Sequence, residues 1–248
     1  MNLPEGLVRA IPHVRSVCVL TGAGISAESG VPTFRGDDGL WKKFRPEELA
    51  NVDAFLSNPS VVWEWYAYRR RLISEVHPND GHRALVRLES LVDDLLVVTQ
   101  NVDGLHQEAG STKVVEIHGN IRRNHCHACK REMDVDLLQQ AGPPSCPQCG
   151  GMVRPSVVWF GEMLPMAAFG TAELAARRCD LFLSVGTSGV VYPAASLPFT
   201  AKNSGAYLLE IDPEETQLTR YADGVVRASA SVGLTAVVAV FEQQKVRS

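Results

Sequence analysis

The chain has 248 residues, of which 45% are hydrophobic and 21% charged, enough apolar material for one substantial core or for a core carrying a small accessory lobe. Composition of this kind excludes a disordered chain, and no apolar run reaches the length of about eighteen residues that a membrane span requires. A formal net charge of −4 argues against a general binder of nucleic acid or membrane surface, because phosphate binding is driven by clustered Lys and Arg.

Residues 1–12 lack both a basic cluster and an apolar signal-peptide core, so a cytoplasmic protein without membrane contact or a specific nucleic-acid partner is expected. Ser16 to Leu20 (SVCVL) then reads as a short buried parallel strand. It runs into Gly22-Ala23-Gly24-Ile25-Ser26-Ala27, in which Gly22, Gly24 and Ala27 fit the dinucleotide turn G-x-G-x-x-G/A. The first glycine permits the turn, the second lets backbone approach a pyrophosphate, and a small third residue allows close helix packing. An ordinary dehydrogenase would offer an acidic ribose ligand at the end of a second strand about twenty residues later. Here that region reads Gly39-Leu-Trp41-Lys-Lys-Phe44, so the nucleotide is held by a different arrangement.

Residues 33–77 are aromatic-rich and helical in pattern, with Asn58-Pro59 as a helix start. On that helix Tyr66 and Arg69 fall at i and i+3, on one face, where a phenol hydrogen bond and a guanidinium fork could hold a carboxylate. The competing reading is an amphipathic helix with rings in the core and arginines in water. Basic runs such as Arg69-Arg70-Arg71 and Arg122-Arg123 are, as a class, usually solvated faces. His82 to Leu91 follows as an amphipathic helix and Leu95 to Thr99 as a second strand. Gln100, Asn101 and Asp103 lie just past that strand's carboxyl end, where amide and carboxylate groups can read ribose hydroxyls and a carboxamide; turn formation would use the same residue types. Val114 to Ile117 is a third strand, and His118 follows it as either a satisfied structural histidine or a base.

Cys126-x-x-Cys129 and Cys146-x-x-Cys149 are separated by sixteen residues, the four-thiolate zinc spacing. Four thiolates close a tetrahedron and leave no position for water, so the metal is structural. Pro143-Pro144, Pro147 and Gly150-Gly151 supply the turns of a tight knuckle. Cys18 and Cys179 are expected to be small core residues. Val158-Trp159-Phe160-Gly161-Glu162 and Val190-Val191-Tyr192 offer extended backbone that could take a peptide as an added strand. Ala167 to Arg178 reads as a helix, and Leu181 to Val185 and Tyr207 to Ile211 as further strands. Gly186, Thr187 and Ser188 end the former, in a position suited to phosphate or ribose contacts. Alternating strands and helices in this order imply an α/β fold, a Rossmann-like doubly wound parallel sheet, with ligands at the carboxyl ends of its strands.

Thr21 to Trp41 (TGAGISAESGVPTFRGDDGLW), Thr99 to His106 (TQNVDGLH), Glu116 to Asn120 (EIHGN), the four cysteines, Arg154 to Pro165 (RPSVVWFGEMLP) and Gly186-Thr187-Ser188 together resemble, in order, the signature blocks of the sirtuins, which are NAD-dependent protein lysine deacylases. The resemblance spans nearly the whole chain. It implies one catalytic unit: a Rossmann-type domain from residues 1–32, 78–120 and 156–248, a cofactor loop and helical insertion at 33–77, and a zinc-ribbon module at 121–155. It also implies that the acyl oxygen of an acylated protein lysine displaces nicotinamide from NAD, ending in free lysine and acylated ADP-ribose.

By the same resemblance His118 is the catalytic base and Asn101 a catalytic residue of the nicotinamide and ribose pocket, shared with Asp103 and Ile25. Gly22, Ala23, Gly24, Ser26, Glu28, Thr33, Trp41, Gln100, Gly186, Thr187, Ser188, Asp212 and Ala230 fall in its cofactor-binding blocks, although Asp212 stands where many members carry Asn and Arg227 to Ser231 is a loose match. Phe34 and Arg35 match its mobile cofactor loop. Val158, Trp159, Phe160 and Val190 would border the acyl-lysine. Tyr66 and Arg69, with the small Ala50 and with Thr33, resemble the desuccinylase subgroup and imply a preference for acidic acyl groups. Two alternatives stay open at this level: ADP-ribosyl transfer or NAD hydrolysis on the same pocket, and a non-catalytic zinc-ribbon binding module.

Overall fold

The computed structural model describes residues 2–33, 46–134 and 142–245. In chain order its main elements are α1 (Glu5–Ala10), β1 (Ser16–Thr21), α2 (Ala23–Ala27), α3 (Pro46–Leu49), α4 (Val52–Ser57), α5 (Pro59–Ser74), α6 (Asp80–Glu89), β2 (Asp94–Thr99), α7 (Leu105–Ala109), β3 (Val114–Glu116), β4 (Gly119–Cys126), β5 (Glu132–Met133), β6 (Val153–Val157), α8 (Met166–Arg178), β7 (Leu181–Val185), α9 (Leu197–Asn203), β8 (Tyr207–Ile211), β9 (Gly224–Val226) and α10 (Ala230–Lys245).

Six strands form a parallel sheet in the order β3-β2-β1-β7-β8-β9. The chain winds outward from β1 on one side and from β7 on the other, so the topological switch lies between them. Side chains alternate along β1: Val17 and Val19 pack with Leu85, Leu88 and Val237 of α6 and α10, whereas Cys18 and Leu20 pack with Ala172, Leu197 and Ala201 of α8 and α9. Both faces are therefore core, which is why the strands read as unbroken apolar runs. Cys18 and Cys179 are buried in this core, as expected.

Helix α6 begins two residues ahead of the His82 start read from periodicity, because Asn79 caps it: the Asn79 carboxamide oxygen accepts from Gly81 N at 2.9 Å, and His82 Nδ1 accepts from Asn79 N at 3.3 Å. β9 and α10 have no counterpart in the expected elements. β9 is a three-residue strand, too short for a periodic signal, and α10 is apolar on much of its circumference.

The smaller lobe is the antiparallel sheet β5-β4-β6 packed beside α5. Arg69 and Arg70 correct the view of the basic run as a solvated face: both are 7% exposed. Arg70 donates from Nε to the Ile121 carbonyl at 2.7 Å and from Nη2 to the Asn124 carboxamide oxygen at 2.6 Å, tying α5 to β4. Arg122 and Arg123 do lie toward solvent, where they pair with Glu108 and Glu116.

At the switch point, Gly22 N donates to Val185 O at 3.0 Å and Gly24 N to Gly186 O at 2.9 Å. A Cβ on Gly24 would stand 2.6 Å from Gly186 Cα, and Gly186 itself has φ +59. Two backbones touch here without room for a side chain. Gly24→Ala should therefore lower stability by roughly 1–3 kcal/mol through overpacking and widen the crevice. Urea unfolding together with ADP-ribose titration checks this, and a variant matching the parent in both would contradict it.

Candidate active site

The crevice at the switch point opens into a cavity of about 800 Å³ that runs between the two lobes. The turn from β1 into α2 forms one wall with Gly22, Ala23, Gly24 and Ser26, and the end of β7 forms the facing wall with Gly186, Thr187 and Ser188. Gln100, Asn101, Asp103 and His118 close its floor. At the far end lie Asp212, Ala230 and the loop Pro213 to Gln217.

Carboxyl-end loops carry the polar groups, and each is held by a second group. His118 Nδ1 lies 3.0 Å from the Gln100 carbonyl, which can only accept, so Nδ1 carries the proton and Nε2 keeps its lone pair. Burial holds the imidazole pKa below its ordinary value of 6.5, against the opposing pull of that carbonyl. Gly119, next in the chain, has φ +77, and a Cβ there would meet Ser156 O at 2.1 Å; the chain turns at this glycine from the parallel sheet into β4. Gln100 Nε2 donates to Thr187 Oγ1 at 2.8 Å, bridging the two walls.

Asn101 is buried and donates through Nδ2 to Gly22 O at 3.0 Å and to Ser26 Oγ at 3.1 Å. Ser26 Oγ in turn donates to Asp103 Oδ2 at 2.8 Å, while Leu105 N donates to Oδ1 at 2.9 Å. Burial raises the Asp103 pKa despite those hydrogen bonds. A chain of polar side chains thus runs beneath the cavity floor from the glycine turn to Asp103.

On the other side of His118, Val158 N donates to His118 O at 2.9 Å and Phe160 N to Ala50 O at 2.8 Å. Residues 157–160 therefore bridge the two lobes in extended form. Val158, Trp159, Phe160 and Val190 line this part of the cavity together with Ala50. Tyr66 and Arg69 of α5 reach the same wall; both are buried, and the Arg69 guanidinium lies 5.8 Å from the Tyr66 ring centroid and 5.0 Å from that of Trp65. Arg69 turns toward the cavity while its neighbour Arg70 turns toward β4.

Not every expected residue lines the cavity. Ile25 does not: its side chain is fully buried in the core beneath the turn, its N–H donates to Gly22 O at 3.2 Å, and its carbonyl accepts from Asn79 Nδ2 at 2.7 Å. Glu28 borders the cavity, but its carboxylate accepts from Ser229 Oγ and Ser231 N, both at 2.9 Å, joining α2 to the start of α10. Thr33 is on the wall. Phe34, Arg35 and Trp41 lie outside the described residues. Trp65 and Ile73 are lining residues that sequence reasoning missed. Extending the Tyr66 and Arg69 stripe to i+7 would have found Ile73. The loop 213–217 was also missed, although its place after a strand's carboxyl end is the signal that identified Gly186.

The four cysteines are brought together at the tip of the small lobe. Their sulfurs all lie within 4.8 Å of one another, with Cys126 and Cys149 at 3.5 Å and Cys129 and Cys146 at 3.8 Å. Tetrahedral zinc with sulfur ligands at about 2.3 Å requires sulfur separations of roughly 3.8 Å, so the set fits structural zinc.

Comparison with known proteins gives consistent matches. The model of the family described as "Sir2 family" matches residues 22–193. A curated relative from Aquifex aeolicus (strain VF5), named "NAD-dependent protein deacylase", is 53% identical over 223 residues, covering 90% of this chain and 93% of its own. Among solved structures, a Sir2 homolog in complex with NAD superposes with a TM-score of 0.91 at 43% identity, covering 98% of this chain and 95% of that one. A Sir2 homologue variant in complex with ADP-ribose gives a TM-score of 0.94 at 42% identity, covering 99% of both chains.

The zinc assignment yields a direct expectation. Purified protein should release one zinc per chain on thiol modification. Cys146→Ser should lose the metal and lower the melting temperature by at least about 5 °C, given roughly 2–4 °C per kcal/mol for a chain of this size. Metal analysis and thermal unfolding decide it, and a zinc-free protein of equal stability would refute the assignment.

Proposed function

The chain belongs to the Sir2 family and is an NAD-dependent protein deacylase, and from this we propose that its preferred substrates are protein lysines bearing acidic acyl groups such as succinyl. The observation that carries the preference is Arg69, a buried guanidinium on the cavity wall one helical turn from Tyr66, with the small Ala50 lining the same cavity. A guanidinium that lines a cavity can take a ligand carboxylate through two parallel N–H···O bonds, a geometry an acidic acyl group supplies and an acetyl group does not. Burial lowers the Arg69 pKa, while Tyr66 and Asp103 beside it favour the charged form. The neutral phenol beside it, whose pKa burial raises, adds a hydrogen-bond donor without adding charge.

Bound NAD supplies an activated glycosidic carbon, from which nicotinamide departs, and a ribose diol that receives the acyl group. The N–H groups of Gly22, Gly24 and Gly186 are engaged between strand ends, so the walls offer Ala23, Thr187 and Ser188 backbone and the Thr187 and Ser188 hydroxyls for its phosphates and ribose, and the loop after β8 borders the opposite end. Asn101 and Asp103 orient the nicotinamide end, and their rigid bonding to Ser26 and Gly22 makes that orientation independent of substrate. His118 is the base: its proton sits on Nδ1, so Nε2 is ready to take a ribose hydroxyl proton at neutral pH. The extended segment 157–160 receives the peptide backbone, which gives little selectivity for neighbouring side chains. ADP-ribosyl transfer and the binding-module alternative are set aside on the family finding.

Three measurements test this reading. Succinyl- and acetyl-lysine peptides compared with NAD should show higher kcat/KM for succinyl, and Arg69→Met should cut the succinyl value roughly tenfold to hundredfold relative to acetyl. An unchanged ratio in Arg69→Met would remove the preference from this residue. His118→Ala should lower kcat/KM by about 10²–10⁴ with either peptide. Because the His118 pKa lies below 6.5, the base stays unprotonated above that pH, and activity falls only as pH drops toward the lowered value. The acidic limb of kcat/KM should therefore have its midpoint under 6.5, and a midpoint above it would contradict the burial effect.

A further inference from the structure

We propose that Trp159 is a specificity-positioning residue, whose indole N–H fixes the Tyr66 phenol as a proton donor toward the acyl end of the substrate. This role rests on the acidic-acyl reading above and deepens it.

The geometry begins with a donor that has no alternative. An indole N–H can only donate, and Trp159 Nε1 lies 2.8 Å from Tyr66 Oη. The phenol oxygen must accept in that direction, so its own proton is turned elsewhere. Both rings are buried, at 2% and 3% exposure, and both line the cavity. Trp65 meets the Tyr66 ring edge-on, with centroids 4.7 Å apart. Tyr66 and Arg69 both line the cavity from α5, and in the proposed role the phenol proton is directed there, away from the indole. Burial keeps the phenol protonated, so a proton is always present to be directed.

The indole cannot turn away from this contact. The Arg154 guanidinium lies 3.4 Å from the Trp159 ring centroid, and Phe55 packs against the ring at 5.2 Å. Arg154 is 1% exposed; it donates to Glu162 from Nη1 at 2.6 Å and from Nη2 at 2.8 Å, and to Val157 O at 2.9 Å. Glu162 Oε2 also accepts from Trp159 N at 2.8 Å, so guanidinium, carboxylate and the tryptophan backbone close a ring of contacts around the side chain. Arg154 begins this clamp on β6, the strand that leaves the cysteine module. Order is thereby carried from the small lobe to the acyl pocket through one indole.

An acidic acyl group gains from a phenol whose proton already points into the cavity, since no reorientation is needed on binding. An acetyl group has no acceptor at its methyl end and gains nothing from that proton. The indole N–H therefore acts on the ratio between acyl groups, whereas general support of the groove would act on all of them alike.

Trp159→Phe keeps an aromatic ring in the slot and removes the N–H together with part of the indole's volume, and the volume loss acts on both substrates alike. Its succinyl-to-acetyl ratio of kcat/KM should fall roughly tenfold, whatever loss the two substrates share, and in a Tyr66→Phe background the same change should shift the ratio no further. Equal losses for both substrates, or an undiminished shift in the double variant, would overturn the proposal. A parent enzyme without succinyl preference sinks the acidic-acyl reading instead, which is seen before any variant is made. Independently of activity, the Trp159 indole N–H resonance, identified by its absence in Trp159→Phe, should exchange with solvent faster in Tyr66→Phe than in the parent. Unchanged exchange would show that the indole does not donate to the phenol, and the proposal falls with it.

Discussion

The backbone contact between the β1 turn and the end of β7 governs the site. Gly22 and Gly24 donate to Val185 and Gly186, and Gly186 N donates to Ile211 O, so three adjacent strand ends are stitched together by main chain alone. Because no Cβ intervenes, the turn lies deep against its neighbour and the crevice opens above it, at the one place in the sheet where the winding reverses. Asn101 bonds to the Gly22 carbonyl and Gln100 to Thr187, so the ends of β2 and β7 are referenced to the same turn.

From that fixed centre the second lobe is attached by short, rigid links. Gly119 turns the chain out of the parallel sheet directly after His118, and residues 157–160 return beside it, bonded to His118 on one flank and Ala50 on the other. The histidine thus sits where the two lobes meet, with its tautomer set by a backbone carbonyl and its charge suppressed by burial. Arg70 fastens α5 to β4, which leaves the adjacent Arg69 to face the cavity. Neighbouring cations on one helix serve opposite ends because a helix turns about 100° per residue.

The physical economy of the acyl wall follows from the same packing. Trp159, Tyr66, Arg69 and the neighbouring Arg70 and Arg154 are buried, so their polar groups gain from specified partners. Arg154 with Glu162, Trp159 with Tyr66, and Arg70 with Ile121 and Asn124 supply such partners. A wall of this kind resists rearrangement, since removing one member of a buried network leaves another unsatisfied.

Much of this was legible in the residues. Apolar runs revealed the parallel strands because both faces of the sheet are core; the glycine pattern marked the crevice because close backbone approach permits no other residue; and cysteine spacing located the metal site because ligand geometry limits it. Local chemistry is enough wherever a constraint is satisfied within a few residues. Position relative to the rest of the chain is not. Ile25 and Ser26 are adjacent in the same motif, yet one enters the core and the other the cavity floor. Arg69 and Arg70 are alike in sequence and opposite in use, and β9 takes its place only by pairing with β8. Those outcomes were decided by tertiary structure, because burial and hydrogen-bond partners come from strands and helices distant in the chain, and no local pattern encodes which of them will arrive.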